Sequence, residues 1–289
     1  VVAGIIGGTT RGIAPDAEIL AIRQTTAHYR GRPQDSVDVG SLQTLADAIH
    51  HALDERARVI NISVVSCIAP DVAGRVDLGV VDGALARAEA EGAVVIAAAG
   101  NATDSCEEGF TVIPAHSPTV IAVGAREDAY TVASYSIASP DTHVSAPGFV
   151  PVALASDGSG WAGGTLDRRG EGDTAVVPYV GTSFAAPVVS GSVALLKQRY
   201  PHFTPGQIRD LVYASAQPNG GAIEPLELVS QLLPDPVDER EPLVVETVER
   251  QTSRATERWW AAVALALAAL GCIAAARGAT TRFRPQAGD

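Results

Sequence analysis

Over its first two hundred residues the chain alternates short, β-branched apolar runs with segments of helical apolar spacing. No other feature constrains the fold as tightly. Strands separated by helices return parallel to one another, and repetition of the unit builds a parallel sheet covered by helices on both faces. Residues 19–23 read as a short strand after the Ala-Pro-Asp turn at 14–16. A helix follows over 41–57, with Leu42, Leu45, Ile49 and Leu53 on one side, and then a β-branched run at 58–65. The pattern repeats with a helix over 81–91, a buried-type strand over 93–99 and another strand over 119–124. A long helix runs from Ser183 to about Arg199, and Thr204 before Pro205 marks the start of one reaching about Ser215. The fold class is α/β.

Composition supports one sizeable core with an appendage. Hydrophobic residues make up 46% and aromatics only 5%, with 28 glycines, which suits close-packed strands and helices and not a disordered chain. A net charge of -12, with no basic stripe in the first 230 residues, argues against nucleic acid as a partner. After Leu233 the chain turns charged and proline-rich, so the main domain is expected to span 1–233 and a linker 234–258. Residues 259–276 are then apolar and uncharged. At about 1.5 Å per residue that stretch covers roughly 27 Å, close to a bilayer's hydrocarbon core. The Trp259-Trp260 pair stands where interfacial aromatics belong. A transmembrane helix is expected, the alternative being a buried C-terminal helix. Arg250, Arg254 and Arg258 balance Arg277, Arg282 and Arg284, so flanking charge does not orient it. The chain has no methionine and opens at Val1 on an apolar run without the basic start of a signal peptide, and we expect it to lack its N-terminus.

The strongest chemical signal is Gly181-Thr182-Ser183-Phe184-Ala185-Ala186-Pro187, running into an apolar helix. A serine at a helix start has its own N–H and the helix dipole beside any anion formed on an attacked carbonyl. Taken alone, Thr182 or Ser183 serves equally well as an N-cap. The full string resembles the nucleophile motif of the subtilase family, G-T-S-x-A-x-P. It differs from the G-x-S-x-G elbow of the α/β-hydrolases, which disfavours an esterase.

That resemblance implies a subtilisin-like fold and a serine endopeptidase acting on protein or peptide substrates, with Ser183 as nucleophile. It assigns Asn101, after the strand Val94-Val95-Ile96-Ala97-Ala98-Ala99 and Gly100, to the oxyanion hole; Gly-Asn is otherwise an ordinary turn dipeptide. Ser63, Val64 and Val65 resemble the family's substrate-pairing edge, with Ala98, Ala99 and Gly100 completing the binding set. Val65 stands where the family usually has glycine, and this is expected to narrow the cleft. Gly12-Ile13-Ala14-Pro15 and Ser145-Ala146-Pro147-Gly148 match two structural turns of the family. Val2 to Gly7 resembles the helix that follows the family's catalytic histidine, which places that histidine just before Val1 and the aspartate further back. The chain as it stands lacks both and is expected to be inactive as a fragment. Its six histidines read as solvated residues, and no cofactor or metal is expected.

Cys67 and Cys106 each follow an active-site strand, and a disulfide between them is expected if those strands are close, against the alternative of two unrelated small residues. Together with Ile22-Arg23-Gln24 and the C-terminal apolar helix, these features resemble the mycosins, membrane-anchored subtilases of type VII secretion. The resemblance implies a single pass through the cell membrane, an extracytoplasmic protease domain, a cytoplasmic tail over 277–289 and a membrane-embedded secretion complex as partner. The competing reading is a non-catalytic structural subunit that stabilises such a complex.

Overall fold

The computed structural model describes residues 1–25, 40–138, 142, 144–155, 157–168, 174–231 and 254–280. The chain divides into two compact units, Val1–Leu232 and Leu233–Asp289. In the first, helix α1 (Val2–Gly7) and helix α2 (Leu42–Asp54) precede strand β1 (Val59–Ile62), the short strand β2 (Ser66–Ile68) and one helical turn, α3 (Pro70–Ala73). Helix α4 (Gly79–Ala90) leads to β3 (Val94–Ala98), β4 (Thr111–Ile113), β5 (Val120–Arg126) and β6 (Val144–Pro147). Six short strands follow: β7 (Phe149–Val150), β8 (Ala153–Leu154), β9 (Trp161–Ala162), β10 (Thr165–Arg168), β11 (Thr174–Val177) and β12 (Tyr179–Val180). The unit closes with α5 (Thr182–Arg199), α6 (Pro205–Ser215) and α7 (Pro225–Ser230), and the second unit contains α8 (Arg254–Thr280).

Strands β1-β3-β5-β6 form a parallel sheet in that order. Every residue of β3 and β5 is buried, as expected when helices cover both faces. The two-residue period of a strand divides them. Val95 and Ala97 face Leu45, Ile49, Val81 and Leu85 of α2 and α4. Val94, Ile96 and Ala98 face Val189, Val193, Leu196, Ile208 and Leu228 of α5, α6 and α7. Local sequence starts the helices where the packing needs them. The Ser41 side chain accepts from Thr44 N at the head of α2, and Thr204 with Gln207 forms a complete capping box on α6. Each such cap contributes about 1 kcal/mol.

Two expectations are corrected. Residues 19–23 form no strand: no ladder partner lies beside them among the described residues, Ile19 and Leu20 are exposed, and only Ile22 packs on the core. Ser145-Ala146-Pro147 lies within β6, paired to β5, and is not a turn. Between β6 and α5 the chain makes small antiparallel pairs, β7 with β12, β8 with β9 and β10 with β11. Most of their large apolar side chains, among them Phe149, Leu154, Trp161 and Leu166, are exposed, so no sustained burial period marks them in sequence.

Helix α8 is long and apolar enough to cross a membrane over Glu257–Arg277, with mean hydropathy 2.0 and no part of that window buried. The stretch expected to span, 259–276, lies inside it. Residues 254–258, expected as the end of the linker, belong to the helix, and 232–253 and 281–289 lie outside the described residues.

Candidate functional site

The carboxyl ends of β1 and β3 and the amino end of α5 converge, the position at which open parallel sheets bind ligands. Ser183 is the second residue of α5 and half-buried. Its backbone N–H is one of the first-turn donors that an α-helix leaves without an internal acceptor. Its Oγ donates to the carbonyl oxygen of Ser63 at 3.0 Å. No histidine hydrogen-bonds to it among the described residues.

Asn101, three residues beyond β3, is held by the oxygen of its amide. That oxygen accepts from Thr182 N and from Thr182 Oγ1, both at 2.9 Å. The Thr182 hydroxyl in turn accepts from Gly100 N at 3.3 Å. With the oxygen committed, the Nδ2 end remains the donor and lies against Gly181. A Cβ at Gly181 would stand 2.8 Å from Nδ2, and the residue has φ of +149°, so a side chain here would both strain the backbone and strike the amide. Ala102 N donates to Tyr135 O at 2.7 Å, and Asn101 bridges to Ser136, fixing the loop from behind. Burial pushes the Tyr135 phenol above its ordinary range.

The remaining expected residues lie around these two. Val64 is exposed, whereas Val65 packs against the cores on both sides of the sheet. A cavity beside them is lined by Gln24, Thr25, Ser41 and Leu45. Ala98 and Ala99 are buried, and Gly100 has both backbone groups engaged, its N–H with Thr182 Oγ1 and its C=O with Ile137 N. That stretch is therefore buried, with both Gly100 backbone groups hydrogen-bonded within the protein.

Cys67 and Cys106 are bonded, with Cα atoms 5.4 Å apart. The bridge ties β2, just after Ser63, to the loop just after Asn101. Closing a loop of this length contributes about 4 kcal/mol in the chain-entropy account. Among the described histidines, His51 and His202 are exposed, but His116 is not a solvated residue: its Nδ1 accepts from Val112 N at 3.2 Å. His50 lies 3.3 Å from Arg87 Nη1, packed between α2 and α4. His28 and His143 lie outside the described residues. No group of three or more His, Cys, Asp or Glu among the described residues is placed to hold a metal ion.

Sequence reasoning overlooked Thr182 as the anchor of Asn101, and it gave no role to Asn61 or Ser190. One signal was available: a serine inside an otherwise apolar helical run, at 190, needs a partner. Asn61 Oδ1 is that partner, at 2.8 Å.

A serine at a helix amino end, with a side-chain amide donor fixed beside it, suits nucleophilic attack on a carbonyl and stabilisation of the resulting oxyanion. The subtilase family (peptidase S8) matches residues 1–240. The chain belongs to the subtilase family. This subtilase is mycosin-like. Mycosin-1 of Mycolicibacterium smegmatis is 32% identical over 256 residues, covering 77% of this chain and 55% of that protein. The crystal structure of MycP1 with its N-terminal propeptide removed superposes with a TM-score of 0.69 at 32% identity, covering 81% of this chain and 79% of that one. A chain of an intact ESX-5 inner membrane complex superposes with a TM-score of 0.67 at 28% identity, covering 94% of this subtilase and 69% of that chain. The subtilase spans about half the length of the mycosins it matches.

Proposed function

We propose that the chain carries the nucleophile and the oxyanion hole of a membrane-anchored, mycosin-like serine endopeptidase associated with type VII protein secretion. The observation that carries this reading is the fixed amide of Asn101 beside Ser183 at the amino end of α5. Ser183 Oγ attacks the scissile carbonyl of a protein or peptide substrate. Asn101 Nδ2 and the Ser183 N–H receive the oxyanion. Ser63 to Val65 pair with the substrate backbone, and Ala98 to Gly100 form the adjoining wall. In a subtilase the base is a histidine oriented by an aspartate; neither role falls to a described residue of this chain.

The protease domain is assigned to 1–233, the linker to 234–258, a single membrane pass to 259–276 and a cytoplasmic tail to 277–289. The Cys67–Cys106 bridge supports an extracytoplasmic domain, because structural disulfides persist in oxidising compartments. The likeness to a chain of the ESX-5 inner membrane complex supports a membrane-embedded secretion complex as partner.

The test is labelling of the full-length protein with a fluorophosphonate probe. Wild type is expected to label and Ser183→Ala to lose labelling entirely. Asn101→Ala is expected to slow it by about 10²–10³, the loss seen when a subtilisin loses its oxyanion-hole asparagine. A full-length protein that does not label, yet still assembles, would transfer the assignment to a structural subunit of the secretion complex.

A further inference from the structure

Pro187 creates a defect in α5 directly above the nucleophile. In an uninterrupted helix the carbonyl of Ser183 would accept from the N–H of residue 187, but proline has none, and its ring crowds that carbonyl outward. The carbonyl is satisfied from another element: Ser63 Oγ, at the end of β1, donates to it at 2.8 Å. Ser63 Oγ is itself oriented by Asn61 Nδ2 at 2.9 Å, and Asn61 Oδ1 accepts from Ser190 Oγ at 2.8 Å. Ser190 is buried and also lies 3.0 Å from Ala186 O. Three side chains thus donate in one direction, from the third turn of α5, out to β1 and back to the Ser183 carbonyl in the first turn, and bonds in such a chain polarise one another.

We infer that the Ser63 hydroxyl and the Asn61 amide are positioning residues for Ser183. They replace the hydrogen bond that Pro187 removes and fix the nucleophile's backbone at its carbonyl, one residue beyond the Thr182 N–H that Asn101 holds. The first turn of α5 is then held at two points, Thr182 N by Asn101 and Ser183 O by Ser63. A helix with an ordinary residue at 187 would need no such support, but its Ser183 carbonyl would be drawn into the helix. The role is separate from any substrate pairing by the Ser63 backbone, because Ser63→Ala leaves the backbone in place. The catalytic part of the inference rests on the reading of Ser183 as a nucleophile; the structural part does not.

The experiment measures saturation kinetics of fluorophosphonate labelling and amide hydrogen exchange across 182–187 in the full-length protein. Ser63→Ala is expected to lower kinact about tenfold, the size of one lost neutral hydrogen bond, with KI unchanged, and to raise exchange in that segment. Ser63→Thr should stay within about twofold of wild type, since it keeps the hydroxyl. Adding Pro187→Ala to Ser63→Ala should recover most of the protection, because the new N–H supplies the missing donor. Should Ser63→Ala fail to fold, Ser190→Ala at the far end should shift both readouts the same way by less. An unchanged exchange pattern, a change in KI alone, or strictly additive effects of Ser63→Ala and Pro187→Ala would overturn the inference. If wild type does not label but exchange responds and is reversed by Pro187→Ala, the positioning stands and the protease reading falls.

Discussion

Helices α5 and α8 are both rich in alanine, valine and leucine, and neither shows a marked polar face, yet they sit in opposite surroundings. Helix α5 is enclosed by the sheet and by its neighbouring helices, with Val189, Val193 and Leu196 buried. The 18-residue apolar window of α8 has no buried part, and Leu265, Leu267 and Leu270 are exposed. A helix apolar on every side needs a surrounding of low polarity. The sheet supplies it for α5, whereas for α8 a bilayer is the surrounding that fits. The polar residues follow the same division. Ser192 and Lys197 of α5 each donate to a backbone carbonyl and Ser190 to the Asn61 amide oxygen, as burial requires, while α8 keeps charge to its ends.

The largest effect that sharpens this contrast is expected from matched leucines. Leu196→Ala should destabilise the folded unit by about 2–5 kcal/mol, lowering Tm by roughly 10 °C in thermal unfolding followed by circular dichroism, whereas Leu267→Ala should leave that transition in place. Next, Leu267→Arg places a charge near the middle of α8 at about 2.5–3.5 kcal/mol against insertion. The full-length protein should then be released by carbonate extraction from a membrane that retains wild type. A smaller effect distinguishes two glycines. A Cβ at Gly191 would stand 2.6 Å from Ile13 Cβ, so Gly191→Ala should cost about 1–3 kcal/mol, measured by urea unfolding. Gly271 has nothing within 4 Å, and Gly271→Ala should cost nothing. The smallest effect lies at the polar margin. The Asp128 carboxyl is held below its ordinary range, first by the N–H of Tyr130 and then by the Thr131 hydroxyl. Folding lowers this pKa, so the stabilisation is complete above the unfolded value and fades as pH falls through the lower folded one. Asp128→Asn should therefore reduce the loss of Tm on acidification toward pH 3, and only slightly, because the group is fully exposed.

What could be read in advance follows from how local each signal is. Helices α2 and α6 carry their own starts, Ser41 and the Thr204 to Gln207 box, and β3, like β5 up to Ala125, carries no polar side chain because both faces are covered. Ser183 and Asn101 drew notice because each belongs to a short, family-like string, Gly181 to Pro187 and Val94 to Asn101. The pairs from β7 to β12 did not, since ladders of two to four residues with mostly exposed side chains leave no periodic trace. Residues 19–23 misled for a related reason: a strand-like composition says nothing about whether a neighbouring strand is present. The support around Ser183 was hidden because Ser63, Asn61 and Ser190 acquire meaning only once β1 and α5 are adjacent.

That adjacency has a kinetic consequence. Ser63 and Ser183 are 120 residues apart in sequence, Gly100 and Thr182 are 82 apart, and Asn61 and Ser190 are 129 apart. Contacts of such long range form late, after shorter loops have closed. The first turn of α5 therefore gains its supports only when β1, β3 and α5 have come together, and while those elements are apart the Ser183 carbonyl and the Asn101 amide lack the partners that fix them.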